Sequence, residues 1–387
     1  MFRRSALFRI RVAIGVVLLD GAMVLVSACG TSSHASFRAT QVSNAYDHTC
    51  ALLSTHNVKC WGYNNAGQLG NGNKTNSSTS VSVSGVTNAV QVSAGGGHTC
   101  AVLSNQRVEC WGSNNHGQLG DGKTTSSSTP VLVSSVTNAV QVSAGGGHTC
   151  ALLSTHKVKC WGYNNAGQLG NGSKTNSSTP VLVSGVTNAV QVSTAYVQTC
   201  ALLSNHRVEC WGWNGAGQLG NGNWGSHSTP VLVSGVTHAN QVSAGSGHSC
   251  ALLSNRRVEC WGVNDAGQLG DGKKTDSSTP VLVGGVTNVI QVNVGFDYTC
   301  VVLSNHRIEC WGRNDAGQLG DGKTTSSSTP VSVSAVTNAT QVSGGETHTC
   351  AVLSDHRVKC WGWNGTGELG DGTTRNSSTP VSVVGFR

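Results

Sequence analysis

The sequence predicts an all-β protein built from seven tandem units. The first observation is a fixed period. Cysteines stand at Cys50, Cys100, Cys150, Cys200, Cys250, Cys300 and Cys350, each followed ten positions later by Cys60, Cys110, Cys160, Cys210, Cys260, Cys310 and Cys360, so the repeat is fifty residues long without insertion. The second is composition: 51 glycines in 387 residues, 11% charged residues and abundant Val, Ser and Thr suit short strands joined by glycine-rich turns. The third is that no copy carries apolar residues at helical spacing. One such unit buries too little surface to fold alone, whereas seven stacked units share a core.

Ahead of the repeats lies a different kind of sequence. Arg3, Arg4, Arg9 and Arg11 precede an apolar run that ends in small residues at Cys29, the order of a secretory signal. Val26, Ser27, Ala28 and Cys29 resemble the bacterial lipobox. That resemblance implies a leader over 1–28, a diacylated Cys29 tethering the protein to a membrane, and a short linker over 29–37. Asp20 interrupts the apolar run, so plain secretion or an uncleaved anchor are the alternatives. The repeat domain occupies 38–387.

Each copy reads as four strands: A (AVQVS), B (TCALL), C (VKCWG) and D (PVLVSG). If B and C form a hairpin in the third copy, Cys150 faces Cys160, Ala151 faces Lys159 and Leu152 faces Val158, which leaves Ser154, Thr155 and His156 as the turn. Directly opposed residues of a non-hydrogen-bonded pair lie close enough to bridge with local twist. Fifteen cysteines are seven such pairs plus Cys29. Fourteen free thiols on a surface would be hazardous, while seven bridges formed in an oxidising compartment, with lipidation absorbing the odd cysteine, account for the count. Nine intervening residues do not make a zinc knuckle, and no C-x-x-C motif is present.

The stretch GHTCALLSTHKVKCWGYNNAGQLG is similar to the signature of the regulator of chromosome condensation repeat family, through His148, Thr149, Ala151, Leu152, Val158, Trp161, Gly162, Asn164, Gly167, Gln168, Leu169 and Gly170. The match recurs in all seven copies. The resemblance implies a seven-bladed β-propeller of four-stranded antiparallel blades, with the cysteines as an adaptation to export. Whether each repeat is one blade or the terminal strands complete a shared blade stays open. The seven WG tryptophans then read as packing between blades.

In antiparallel blades the A to B and C to D loops share one face, and the B to C tips share the other. The tips are basic or His-bearing: His56, Arg107, His156, Lys157, His206, Arg207, Arg256, Arg257, His306, Arg307, His356 and Arg357. They suit either an anionic surface or a solvated edge that resists strand pairing. Net charge is +7, of which the leader supplies three, so the mature domain is too weakly basic to argue for nucleic acid.

The opposite face carries the irregular aromatics. Tyr163, Trp213, Phe296, Tyr298 and Trp363 fall in or beside its loops, with Tyr46 and Tyr63. Copy four departs furthest, with Tyr196, Trp213, Trp224 and His227, and these mark the preferred partner-binding patch; neutral drift is the alternative. His48, His98, His148, His248 and His348 recur at one position and are expected to bond backbone of a neighbouring blade rather than ligate metal. No catalytic motif or cofactor signature is present. The expected activity is therefore that of a non-enzymatic, cofactor-free monomer, exported and membrane-tethered, that binds another protein through its aromatic face, in the manner of an inhibitor. Nucleotide exchange, as in nuclear members of the family, and glycan binding or hydrolysis are the alternatives.

Overall fold

The computed structural model describes residues 37–386. The expected leader, Cys29 and most of the linker lie outside the described residues. In the first repeat Ala39–Asn44, His48–Leu53, Val58–Gly62 and Ser77–Ser82 form strands A to D. The same four strands recur in every copy, giving seven four-stranded sheets, each in the order A-B-C-D and antiparallel throughout. The fold is the seven-bladed propeller, and each repeat is one whole blade.

Burial follows the position of each strand. Strand B of the first blade is buried along its whole length, because it lies between A and C and both its faces meet neighbouring blades. Strand D is half exposed as the outer edge, and from the second copy onward it carries a proline, such as Pro130, that gives a neighbouring chain no N–H to pair with.

The central hairpin has the expected register, with Cys150 opposite Cys160, Ala151 opposite Lys159 and Leu152 opposite Val158. Leu153 N–H donates to Lys157 O, so strict alternation makes the cysteines a non-hydrogen-bonded pair, the closer kind. Their Cα atoms are 4.0 Å apart, and all seven pairs are bridged. The sulfurs are not at a surface. All fourteen cysteines are fully buried and form part of the core.

That core lies between blades. Cys150, Leu152, Val158, Cys160 and Leu169 of the third blade pack on Ala189, Val192, Ala201, Leu203 and Trp211 of the fourth, and six equivalent clusters complete the ring. A single repeat has no such cluster of its own, which is why it needs neighbours.

Three polar belts tie the seams. Near the axis, Gln41 donates to Val92 O and accepts from Val92 N–H, both at 3.0 Å, and the six equivalent glutamines do likewise, ending with Gln341 and Val42. Further out, His48 Nε2 is 2.8 Å from Thr99 Oγ1, whose hydroxyl donates to Gln68 O at 2.9 Å. Because that hydroxyl proton is already committed, the imidazole is the donor, which fixes the Nε2–H tautomer. Gln68 O also accepts from Trp111 Nε1, so His, Thr, Trp and Gln form one network across this seam, and the seams led by His98, His148 and His248 repeat it. The recurring histidines thus reach a neighbouring blade as expected, but their partner is a hydroxyl rather than backbone.

At the tips, His56 has a left-handed backbone with φ 63°, and its ring Nδ1 lies 3.0 Å from Ala89 O of the next blade, while Ala89 N–H donates to His56 O. His156, His206, His306 and His356 repeat this clamp. The tip histidines are therefore clamps between blades, and the basic ring is left to Arg and Lys.

Closure adds a terminal clasp. Phe37 and Phe386 pair in parallel, Phe386 is buried against Trp61, and Lys59 Nζ stands 4.1 Å above the Phe37 ring.

Candidate functional site

The seven A to B loops surround the axis on one face and form the mouth of a cavity of about 190 Å³. Its wall is polar, contributed by Ser43, Ser93, Ser143, Ser193, Ser243 and Ser343 with Asn293. Tyr46, Tyr196 and Phe296 stand at the rim. Their rings meet edge to face, with centroids 5.8 Å apart for Tyr46 and Tyr196, 5.7 Å for Tyr46 and Phe296, and 6.4 Å for Tyr196 and Phe296.

Glycine in the neighbouring loops makes room for two of these rings. A Cβ on Gly96 would lie 2.7 Å from Tyr46 Cε2, and one on Gly146 would lie 2.6 Å from Tyr196 Cδ2. Backbone bonds from Gly96 N to Gly145 O and from Gly146 N to Ala195 O hold the loops together. The AGGGH loops of copies two and three are therefore the seats of Tyr46 and Tyr196.

One carboxylate, Glu346, lines the cavity, and two more, Asp47 and Asp297, lie just outside the rim. Asp297, Glu346 and Asp47 come from the sixth, seventh and first blades, which are consecutive around the ring. Burial raises the pKa of each above the ordinary carboxylate range, and for Glu346 the neighbouring Asp47 and Asp297 raise it further. Burial first, then the charges of Tyr196 and these carboxylates, also raises the Tyr46 phenol. Arg313 is bound at 2.8 Å to Asp315 and at 3.5 Å to Asp297.

Outside the mouth the same face presents tryptophans. Trp213, Trp224 and Trp363 are 40%, 51% and 43% exposed. Trp213 folds over Gly215, where a Cβ would lie 2.5 Å from its ring, and Trp363 folds over Gly365 in the same way. Tyr163 packs against His116 of the preceding blade in a tilted arrangement, with centroids 4.7 Å apart. His227 begins strand D of blade four opposite Gly212, half-buried, with Nε2 3.4 Å from Asn221 Nδ2.

Two sequence expectations change here. Tyr298 is fully buried, not on the recognition face. It occupies the phase of the seam histidines, donates to His348 O at 2.6 Å and lies 2.9 Å from Thr349 Oγ1. Tyr196 also leaves the copy-four group, since its ring neighbours are Tyr46 and Phe296 rather than Trp213.

The model of the regulator of chromosome condensation (RCC1) repeat matches residues 57–102, 107–152, 157–202, 205–252, 257–302 and 307–352, most of the chain. The chain belongs to the RCC1 repeat family. Among solved structures, Prp20p from Saccharomyces cerevisiae, described with its binding to Gsp1p and histones, superposes with a TM-score of 0.76 at 21% identity, over 90% of this chain and 87% of that one. Human WBSCR16 gives 0.72 at 22% identity, over 82% and 86%. The CRINKLY WD40 ectodomain of the Arabidopsis thaliana receptor kinase ACR4 gives 0.53 at 20% identity, over 90% and 98%. Curated protein sequences yield no match to the chain. These identities establish the fold alone. RCC1-like propellers are in general protein-binding scaffolds, and seven disulfides in this one indicate an oxidising, extracytoplasmic compartment.

The carboxylate arc and Asn44 escaped the sequence reading. A signal for both was present in the phase of the repeat. Asn44 stands where the other copies have Ala94, Ala144, Thr194, Ala244, Val294 and Gly344, and Asp47 stands where copies two and three have Gly97 and Gly147.

Proposed function

We propose that this RCC1-repeat protein is an exported, non-enzymatic scaffold that captures another protein on its mouth face. Lipidation of Cys29 after removal of 1–28 would tether it to a membrane, with 29–37 as the spacer. The observation that carries the reading is the grouping of aromatics on one face: Tyr46, Tyr196 and Phe296 at the axis, with Trp213, Trp224 and Trp363 at 40 to 51% exposure around it. Large rings held by a rigid frame supply binding energy at little entropic cost. An occupant of the mouth would block whatever the bound surface of its partner does, which is how an inhibitor acts. The repeated imidazoles, the side chains best suited to proton transfer, are engaged in the seams, which favours binding over catalysis.

Pull-down with the mature domain and with a Trp213→Ala, Trp224→Ala variant tests this. The variant should lose its partner while keeping its thermal transition. Undiminished recovery of every partner would remove the face from consideration.

A further inference from the structure

Resting on that reading, we infer that the axial mouth receives a guanidinium group, the side chain of an arginine that the partner protein inserts along the propeller axis. Three features of the mouth converge on this chemistry.

The rings of Tyr46, Tyr196 and Phe296 cluster at the rim, and Tyr196, half exposed, offers an accessible π surface to a flat cation. Glu346 lines the cavity beside them, and Asp47 and Asp297, next in the chain after Tyr46 and Phe296, add negative charge just outside the rim. Arg313 offsets only part of it, because it is held by Asp315 and Asp297, and among the described residues Asp47 and Glu346 form no salt bridge. Burial of both, and for Glu346 also the charges of Asp47 and Asp297, disfavours ionisation, a cost that an arriving cation reverses.

Beneath the rim lies an independent mark. Asn44 lines the same cavity, is 7% exposed, and neither its Oδ1 nor its Nδ2 has a hydrogen-bond partner. A buried amide left unpaired is costly, and Oδ1 is an acceptor for an incoming N–H. Arginine suits the set better than lysine. Its planar fork can stack on a ring while donating to several acceptors, whereas an ammonium has no face to stack.

The test needs no identified partner. The full chain is titrated with N-acetyl-arginine methylamide and with its neutral isostere N-acetyl-citrulline methylamide, following the aromatic NMR signals of Tyr46, Tyr196 and Phe296. Saturable shifts are expected with the arginine probe. Binding should be at least tenfold weaker for citrulline, and at least tenfold weaker in an Asp47→Asn, Glu346→Gln variant whose backbone spectrum is unchanged. Asn44→Ala serves as the second variant if the charge variant fails to fold. Equal responses to arginine and citrulline, or no saturation by arginine, would overturn the assignment. If those results accompany partner loss in the tryptophan variant, the guanidinium site alone is wrong and the binding face stands.

Discussion

Acid should weaken the propeller well before its carboxylates titrate, and the seam histidines set the size of the effect. His48, His148, His248 and His348 are held down to about 3 and His98 to about 4, chiefly by burial. The tautomer supplies the structural reason. Nε2–H is already used on the threonine hydroxyl, and Nδ1, where a second proton would go, is buried without a partner. In the unfolded chain the same rings titrate near an ordinary pKa of about 6.5. The folded pKa is the lower one, so stability is complete above about pH 6.5 and declines as pH falls, because only the unfolded state takes up protons. At pH 5.5 each ring contributes a loss of about 1.4 kcal/mol, and the five together about 7 kcal/mol. Glu109, Glu209, Glu259, Glu309 and Glu368, with Asp47, Asp297 and Glu346 of the mouth face, are raised by burial and act in the opposite sense. Their compensation grows toward the carboxylate range near about pH 4 to 5, so the histidine signature is clearest from about pH 7 to 5. Urea denaturation of the oxidised protein across this range, with His148→Gln as the companion, is the assay. Gln198 already fills this position in blade four, donating to Ser249 Oγ at 2.9 Å, so the substitution keeps a donor and should remove about one fifth of the pH slope. A denaturation midpoint that stays constant from pH 7 to 5, or signals of the five seam imidazoles titrating near about 6.5 in the folded protein, would refute it.

Three further outcomes follow from the same geometry. Replacing Cys150 and Cys160 together by alanine should cost about 2 to 3 kcal/mol from the short loop, plus a cavity contribution because both sulfurs are core atoms, and comparison of urea midpoints will show it. Trp161→Ala empties a fully buried site and removes the indole bond to Gln118 O, so a loss of about 3 to 5 kcal/mol is expected by the same measurement; a change under about 1 kcal/mol would show the seam to be less tightly packed than described. Gly146→Ala should displace both the ring and the backbone of Tyr196, because the added Cβ would lie 2.6 Å from its Cδ2 and 2.8 Å from its carbonyl oxygen, seen as a changed near-ultraviolet circular dichroism spectrum together with a lowered melting temperature.

What the sequence disclosed and what it withheld divide along a physical line. The Cys150 to Cys160 register was legible because a tight hairpin is local, and ten residues of spacing fix which side chains oppose. The seam role of Trp161 was legible once the seven-fold repeat was aligned with its family. The mouth was not, because its members are 100 to 250 residues apart in the chain and meet only because the ring closes. In a closed ring, equal phase means equal radius. Grouping residues by copy put Tyr196 with Trp213, whereas grouping by phase puts Tyr196 with Tyr46 and Phe296, and puts Tyr298 with the buried histidines. The clasp of Phe37 on Phe386 was also hidden, since neither residue belongs to the repeat pattern.

The mouth face is proposed as the seat of the partner. Hydrogen exchange measured by mass spectrometry on the chain alone and with its captured partner tests it most directly. Protection should appear in the A to B loops around 45–47, 195–197, 295–297 and 345–347 and in the C to D loops around 213–226 and 363–376. Protection confined to the B to C tips or to the outer D strands would contradict it.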